Sequence, residues 1–406
     1  TIPGLTEISP VATLTVVPDT FPPVIVSTGA LPKNGVHEVG ILFDEALNAT
    51  TAGTMGNYSI SAGTINSATY LSKSEGVQLA VSGLSAGTAY TITVQNVSDT
   101  LGNAITSAMT SITPDDTKTW AQVGGLTDAA FQPAVLAIDE DGFDVYSGGN
   151  SFWGSADETT FVYEELTGDF DKSVRVEYQD SSSQWARAGL MVRENLNEGV
   201  ATTDAAGANP ASRFQHCHVN PEYFDNGTVP GGAANFSWET NRRIATGGAT
   251  DSNGGGGTPE YPNAWCRISR EGQVFRYYSS NDGVNWTELG QTNFETVASG
   301  DGTPMPDTLF FGPNFGPENG NVSGAGGTPS LWVAKFRDYG DTPEPGTDPN
   351  LTVTIDAGGG VVITWDTGVL VSSGTVDGAY APVAGAASPY TPTVAPGSEM
   401  YFQVDT

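Results

Sequence analysis

Polar and apolar positions alternate most clearly near the middle of the chain. There Gln184–Glu194 reads Gln-Trp-Ala-Arg-Ala-Gly-Leu-Met-Val-Arg-Glu and follows a second strand-like run, Ser173–Gln179. A period of two marks a half-buried strand, with Trp185, Leu190 and Val192 as packing and Arg187 and Arg193 as counter-charges on the open face. Applied along the whole chain, the same reading predicts Val24–Ser27, Glu38–Phe43, Tyr58–Ser61, Ile65–Leu71, Gly76–Val81 and Tyr90–Val97 as strands. After these come Asp144–Tyr146, Phe161–Tyr163, Leu309–Phe311 and Leu331–Phe336, then five short runs between Leu351 and Val404. Breaks rich in Pro, Gly and Asp divide the chain into an N-terminal strand and linker (1–20), a sandwich (21–114), a large domain (117–341), a linker (342–350) and a small module (351–406).

Composition agrees. With 51 Gly, 25 Pro and 15% charged residues, short strands and tight turns are expected, in an all-β chain with almost no helix. The 46 acidic residues outnumber the 15 basic ones, and the formal charge of −31 opposes nucleic acid or an anionic membrane surface as partner. No apolar run reaches the ~20 residues of a membrane span. Numbering from Thr1 with no leader is read as an exported, processed chain or a fragment of a longer one.

The run Trp185-Ala-Arg-Ala-Gly-Leu-Met-Val-Arg193 resembles the Trp-Ala-x-Ala-Gly-Leu-Met-x-Arg signature of bacterial concanavalin-like (laminin-G-like) jelly-roll domains, found mostly in large secreted and surface proteins. Ser280-Asn-Asp-Gly-Val-Asn-Trp286 resembles that family's Ser-x-Asp-Gly-x-x-Trp hairpin. In the preceding segment, Pro22-Pro23, Ile41–Leu47, Val81–Tyr90 and Asp99-x-x-Gly-Asn103 resemble bacterial Ig-like repeats. Val361–Trp365, Tyr380–Val383 and Ser388–Tyr390 resemble C-terminal modules of exported proteins. The resemblance implies an Ig-like sandwich, a concanavalin-like jelly roll and a small C-terminal β-sandwich in tandem, at a bacterial cell surface or outside the cell.

Candidate chemistry is sparse. Cys217 and Cys266, both in strand-like runs of an exported-looking chain, are expected to form a disulfide worth about 4 kcal/mol; two buried thiols are the alternative. His216 and His218 flank Cys217 and share a face; they are read as surface histidines, with the start of a metal site as the alternative. Asp139, Asp141 and Asp144 crowd a glycine turn and are the candidate ligands of a structural Ca²⁺. Trp153, Trp185, Trp238, Trp265 and Trp286 all lie in the large domain. Trp153, Trp238 and Trp286 are the candidates for stacking on sugar rings, against a role in the core. The paired-carboxylate strand motif of concanavalin-like glycoside hydrolases does not occur, nor does a nucleophile elbow, zinc helix or phosphate loop, so the chain reads as non-enzymatic.

Function is therefore sought at the chain's ends. Val11-Ala12-Thr13-Leu14-Thr15-Val16-Val17 is a strong strand with no upstream partner, and the last module is short of core. A free strand can complete a sheet in a neighbouring copy, so the expectation is a cell-surface filament or stalk assembled head-to-tail by strand donation. The rival is a carbohydrate-binding adhesion protein with the jelly roll as lectin.

Overall fold

The computed structural model describes residues 19–124, 133–149, 151–196, 210–222, 236–297, 302–318, 331–342, 351–355, 360–365, 369–375, 380–383, 385–392 and 400–405. The expected all-β chain is what it contains. Helix among these residues is limited to α1 (Ala49–Ala52), capped by the Asn48 side chain, and one 3₁₀ turn. No described helix is long and apolar enough to cross a membrane. Two compact units divide the chain, 1–341 and 342–406.

The first unit holds two sandwiches. The smaller is built from β1 (Ile25–Lys33), β2 (Val36–Phe43), β3 (Tyr58–Ile60), β4 (Thr64–Leu71), β5 (Gly76–Ser82), β6 (Tyr90–Val94) and β7 (Ala108–Ile112). Sheets β1-β2-β5-β4 and β3-β6-β7 enclose Val39, Ile41, Val77, Leu79, Ile92 and Val94. These side chains recur at alternate positions, as one buried face of each strand requires. Strand β7 was missed in the sequence because Ala108-Met-Thr-Ser-Ile112 carries little apolar contrast.

The larger sandwich follows, with β8 (Thr119–Val123), β9 (Ala134–Ala137), β10 (Phe143–Ser147), β11 (Thr159–Thr167), β12 (Phe170–Gln179), β13 (Arg187–Arg193) and β14 (Phe214–Val219). It continues through β15 (Trp238–Arg243), β16 (Asp251–Gly256), β17 (Ala264–Glu271), β18 (Val274–Ser280), β19 (Thr287–Asn293), β20 (Thr308–Gly316) and β21 (Trp332–Asp341). Two seven-stranded antiparallel sheets result, β19-β18-β17-β12-β21-β10-β9 (the front sheet) and β16-β15-β14-β13-β20-β11-β8 (the back sheet). Val174, Ile268, Phe275 and Phe336 from the front sheet meet Leu190, Val192, Phe311 and Phe315 from the back sheet in one core.

A tight seam joins the two sandwiches. Leu71 packs with Leu136, Ile138, Tyr146 and Val333, and hydrogen bonds run from Trp120 Nε1 to Glu38 (2.6 Å), Lys33 Nζ to Trp120 O (2.6 Å) and Gln78 Nε2 to Val135 O (2.7 Å). Backbones approach closely here: a Cβ on Gly29 would lie 2.7 Å from Asp139 O, and one on Gly40 would overlap Ala137 O. The break read between 114 and 117 is thus a packed joint.

In the second unit β22 (Thr352–Ile355) pairs with β23 (Val361–Thr364), and β24 (Val369–Ser373) lies between β25 (Ala381–Pro382) and β26 (Tyr401–Asp405). Among its described residues the core is Ile363, Trp365 and Leu370 with partly buried neighbours.

Gly40→Ala should force the seam apart. The expected result is a loss of roughly 1–3 kcal/mol, seen as a lower urea midpoint and separate unfolding of the two sandwiches. An unchanged single transition would show that the seam does not couple them.

Candidate functional site

The signature strand β13 is buried on both faces, which corrects the half-buried reading. Ala186, Ala188, Leu190 and Val192 point into the core, as expected. Arg187 and Arg193, read as surface counter-charges, are 3% and 0% exposed. They lie on the outer face of the back sheet, and residues 151–158 cover that face.

Asp157 holds this cover down. Its fully buried carboxylate accepts from Arg193 Nη2 (2.9 Å) and from Arg243 Nη1 and Nη2 (3.1 and 2.7 Å). Arg243 Nη2 also donates to Gly154 O (3.0 Å), and Thr250 Oγ1 donates to Phe152 O (2.6 Å). Phe152 then packs edge-on against Phe214 and His216.

His216 and His218 on β14 are fully buried, not surface residues. Their Nδ1 atoms are 3.0 Å apart, so one ring donates to the other and neither Nδ1 is free for a metal. The Nε2 atoms of both have no hydrogen-bond partner among the described residues; that of His218 lies 3.7 Å from Glu239 Oε2, beyond hydrogen-bond reach. Burial pushes both imidazoles below their ordinary pKa, His216 furthest because His218 and Arg187 add to the effect. Both are neutral at pH 7.

Beside them a pocket of about 450 Å³ opens, lined by Trp153, Trp185, Arg187, Glu239, Ser252 and Glu318. Trp153 and Trp185 are 50% and 37% exposed, the surface tryptophans of this face. Arg187 sits 5.4 Å from the Trp153 ring centre, donates through Nε to Asn241 (3.0 Å) and pairs with Glu318. Burial draws its pKa down to about 10, and it stays charged. For Glu239, burial alone would raise the pKa, but its neighbours, the charged Arg187 guanidinium and the Asn220 amide (3.2 Å) among them, outweigh it and bring the group below its ordinary value. The pocket thus offers two indole walls and a floor of fixed donors and acceptors.

Other expectations fare differently. Trp238 is 3% exposed and belongs to the core, and Trp286 is half-buried against Trp265 and Arg267 on the β18–β19 hairpin, so the three stacking candidates do not converge. Trp185 takes their place beside Trp153. The calcium candidates also separate. Asp144 is buried inside β10 and accepts from Arg337 Nη1 (2.7 Å), Asp139 accepts from the Asp141 N–H (2.9 Å), and Asp141 faces Lys118 (3.4 Å). Among the described residues the acidic groups that do approach one another are Asp19, Glu45 and Asp99, with Asp99 already accepting from three backbone N–H groups and Asn103. Cys217 and Cys266 are free, buried thiols. They meet across the core from facing sheets, and burial together with the neighbouring Cys217 pushes the Cys266 thiol well up. The expected disulfide is therefore not formed, and the alternative of two buried thiols is what this structure holds. The donor-strand candidate Val11–Val17 lies outside the described residues.

No family model matches the chain, and no curated protein does. Among solved structures it is similar to a functionally unknown protein from Saccharomyces cerevisiae, at 15% identity over 56% of this chain and 97% of that one, with a TM-score of 0.37. It is also similar to the GH43 protein BlXynB from Bacillus licheniformis (11% identity, 77% of this chain and 64% of that one, TM-score 0.32). A third is a xylan β-1,4-xylosidase from Bacillus halodurans (13%, 79% and 53%, TM-score 0.31). Scores this low bear no weight for the site.

The buried histidines make stability pH-dependent in a fixed sense. Their folded pKa values lie below the ordinary 6.5, so below that pH the unfolded chain takes up protons that the folded one refuses. Stability is complete above about pH 6.5 and falls with acidification, by up to about 1.4 kcal/mol per pH unit for each histidine. Urea midpoints at pH 7.5, 6 and 5 should drop in that order and flatten in His216→Gln; a pH-independent midpoint would contradict it.

Proposed function

We propose that the large sandwich is a glycan-binding module of a bacterial extracellular or surface protein, with the architecture of a concanavalin-like jelly roll behind an Ig-like domain. The observation that carries this is the pairing of two half-exposed indoles with buried, pre-positioned polar groups in one pocket. Indole faces stack on the C–H faces of sugars, and fixed donors and acceptors select their hydroxyls. Arg187 donates, Glu239 accepts, and the side-chain amides of Asn241 and Asn220 hold them in place.

Glu239 does not have the electrostatics of a glycosidase acid. A glycosidase of the two-carboxylate type needs one carboxyl group held protonated near neutral pH. Glu239 is pushed the other way.

Calorimetric titration with the neutral glycans found on an array should show Trp153→Ala and Trp185→Ala each weakening binding roughly tenfold, about 1.4 kcal/mol. A flat array, or affinities indifferent to both substitutions, would sink this reading.

A second reading, head-to-tail assembly by strand donation, draws support from the second unit. Val353, Val361 and Val369 are 64%, 41% and 52% exposed on its short strands, which leaves apolar sheet surface open to an added strand. Removing residues 1–19 should then abolish assemblies seen by light scattering, and equal scattering before and after would end it.

A further inference from the structure

Three cavities of the large sandwich share their walls. The Trp153–Trp185 pocket and a second of about 390 Å³ have Glu239 and Ser252 in common. The second shares Trp238, Gly255 and Gly256 with a third of about 430 Å³, which reaches Asn281, Thr287 and Glu288 on the β18–β19 hairpin. The path crosses β13, β14, β15 and β16, about 14 Å at the usual strand spacing, and then passes over the edge of the sheet.

That edge suits a hydroxyl-rich chain. β16 is the terminal strand of its sheet, so one row of its backbone N–H and C=O groups has no ladder partner. Its Gly254-Gly255-Gly256 end carries no side chains over that backbone, with Gly254 lying close against Leu289 O of β19. Gly255, at φ +146°, could not take a Cβ, which would stand 2.7 Å from Trp238 O. Beneath the glycines, the buried Trp238 indole N–H has no hydrogen-bond partner among the described residues.

The charge of the lining narrows the class. Along the path the acidic lining residues are Glu239, Glu318, Asp282 and Glu288, and the basic one is Arg187, and the chain carries −31 overall. An anionic polymer would be repelled.

We propose that these cavities are one continuous groove that holds several consecutive units of a neutral, linear polysaccharide, with the Trp153–Trp185 pocket at one end and the β18–β19 hairpin at the other. This rests on the glycan-binding reading and extends it from a single sugar to a chain. Each further subsite filled adds contacts without a second cost in translational freedom.

The test is calorimetric titration of the full chain with cello-, xylo-, manno- and malto-oligosaccharides of two and six units, together with a Thr287→Ala/Glu288→Ala variant at the far end. For whichever series binds, the hexasaccharide should bind at least tenfold more tightly than the disaccharide. The variant should lose most of that gain while its disaccharide affinity stays unchanged. Equal affinities for the two lengths, or a hexasaccharide indifferent to the variant, would overturn the groove and leave the single pocket standing. No binding by any series would overturn both. Circular dichroism matching the parent confirms that the variant, altered at two exposed positions, is folded.

Discussion

The structure of the site depends on a carboxylate placed between two guanidinium groups where no water reaches. Asp157, Arg193 and Arg243 are all fully buried. Desolvating three charges costs several kcal/mol for each ion, so the cluster persists only because its geometry is close to complete. Arg243 alone makes contacts to Asp157, Gly154, Gly248, Ser212 and Thr250. Removing one member from such a cluster strands the others as uncompensated charge, a loss of about 3–5 kcal/mol. Replacing it with apolar residues could stabilise the fold, but would not fix the path of residues 151–158. That path sets where Trp153 stands and what roofs the histidines.

The signature strand shows what a sequence pattern tells and what it leaves open. Alternation in Gln184–Glu194 identified which side chains share a face: Ala188, Leu190 and Val192 lie together in the core, Arg187 and Arg193 on the other side. It carried no information about whether that other side met water. The missing fact was Asp157, thirty-six residues from Arg193 in sequence and surrounded by Ser, Ala, Glu and Thr, with no local pattern to mark it. His216 and His218 were misplaced for the same reason. The only legible signal was charge: two arginines on a central strand in a chain with 46 acidic residues.

Fold class was far easier to read, since strand length, turn residues and the two-residue period are local properties of the chain. The tryptophans were not. Trp238 and Trp153 look equally amphipathic in sequence, yet one lies on the inward face of β15 and the other on a loop. Trp185, one residue ahead of the core-facing Ala186, was assigned to packing by its place in the signature.

The seam between the sandwiches also bears on where binding can occur. The β9–β10–β21 end of the front sheet is pressed against the smaller sandwich, close enough that Gly29 and Gly40 must lack side chains. This surface is spent on rigidity, since Lys73, Gln78 and Trp120 bridge it with hydrogen bonds. The back sheet turns its outer face elsewhere, and there the chain invests its buried arginines, histidines and exposed indoles. On the glycan-binding proposal, a module fixed to its neighbour needs one face for attachment and another for ligand, and the two sheets would divide these tasks.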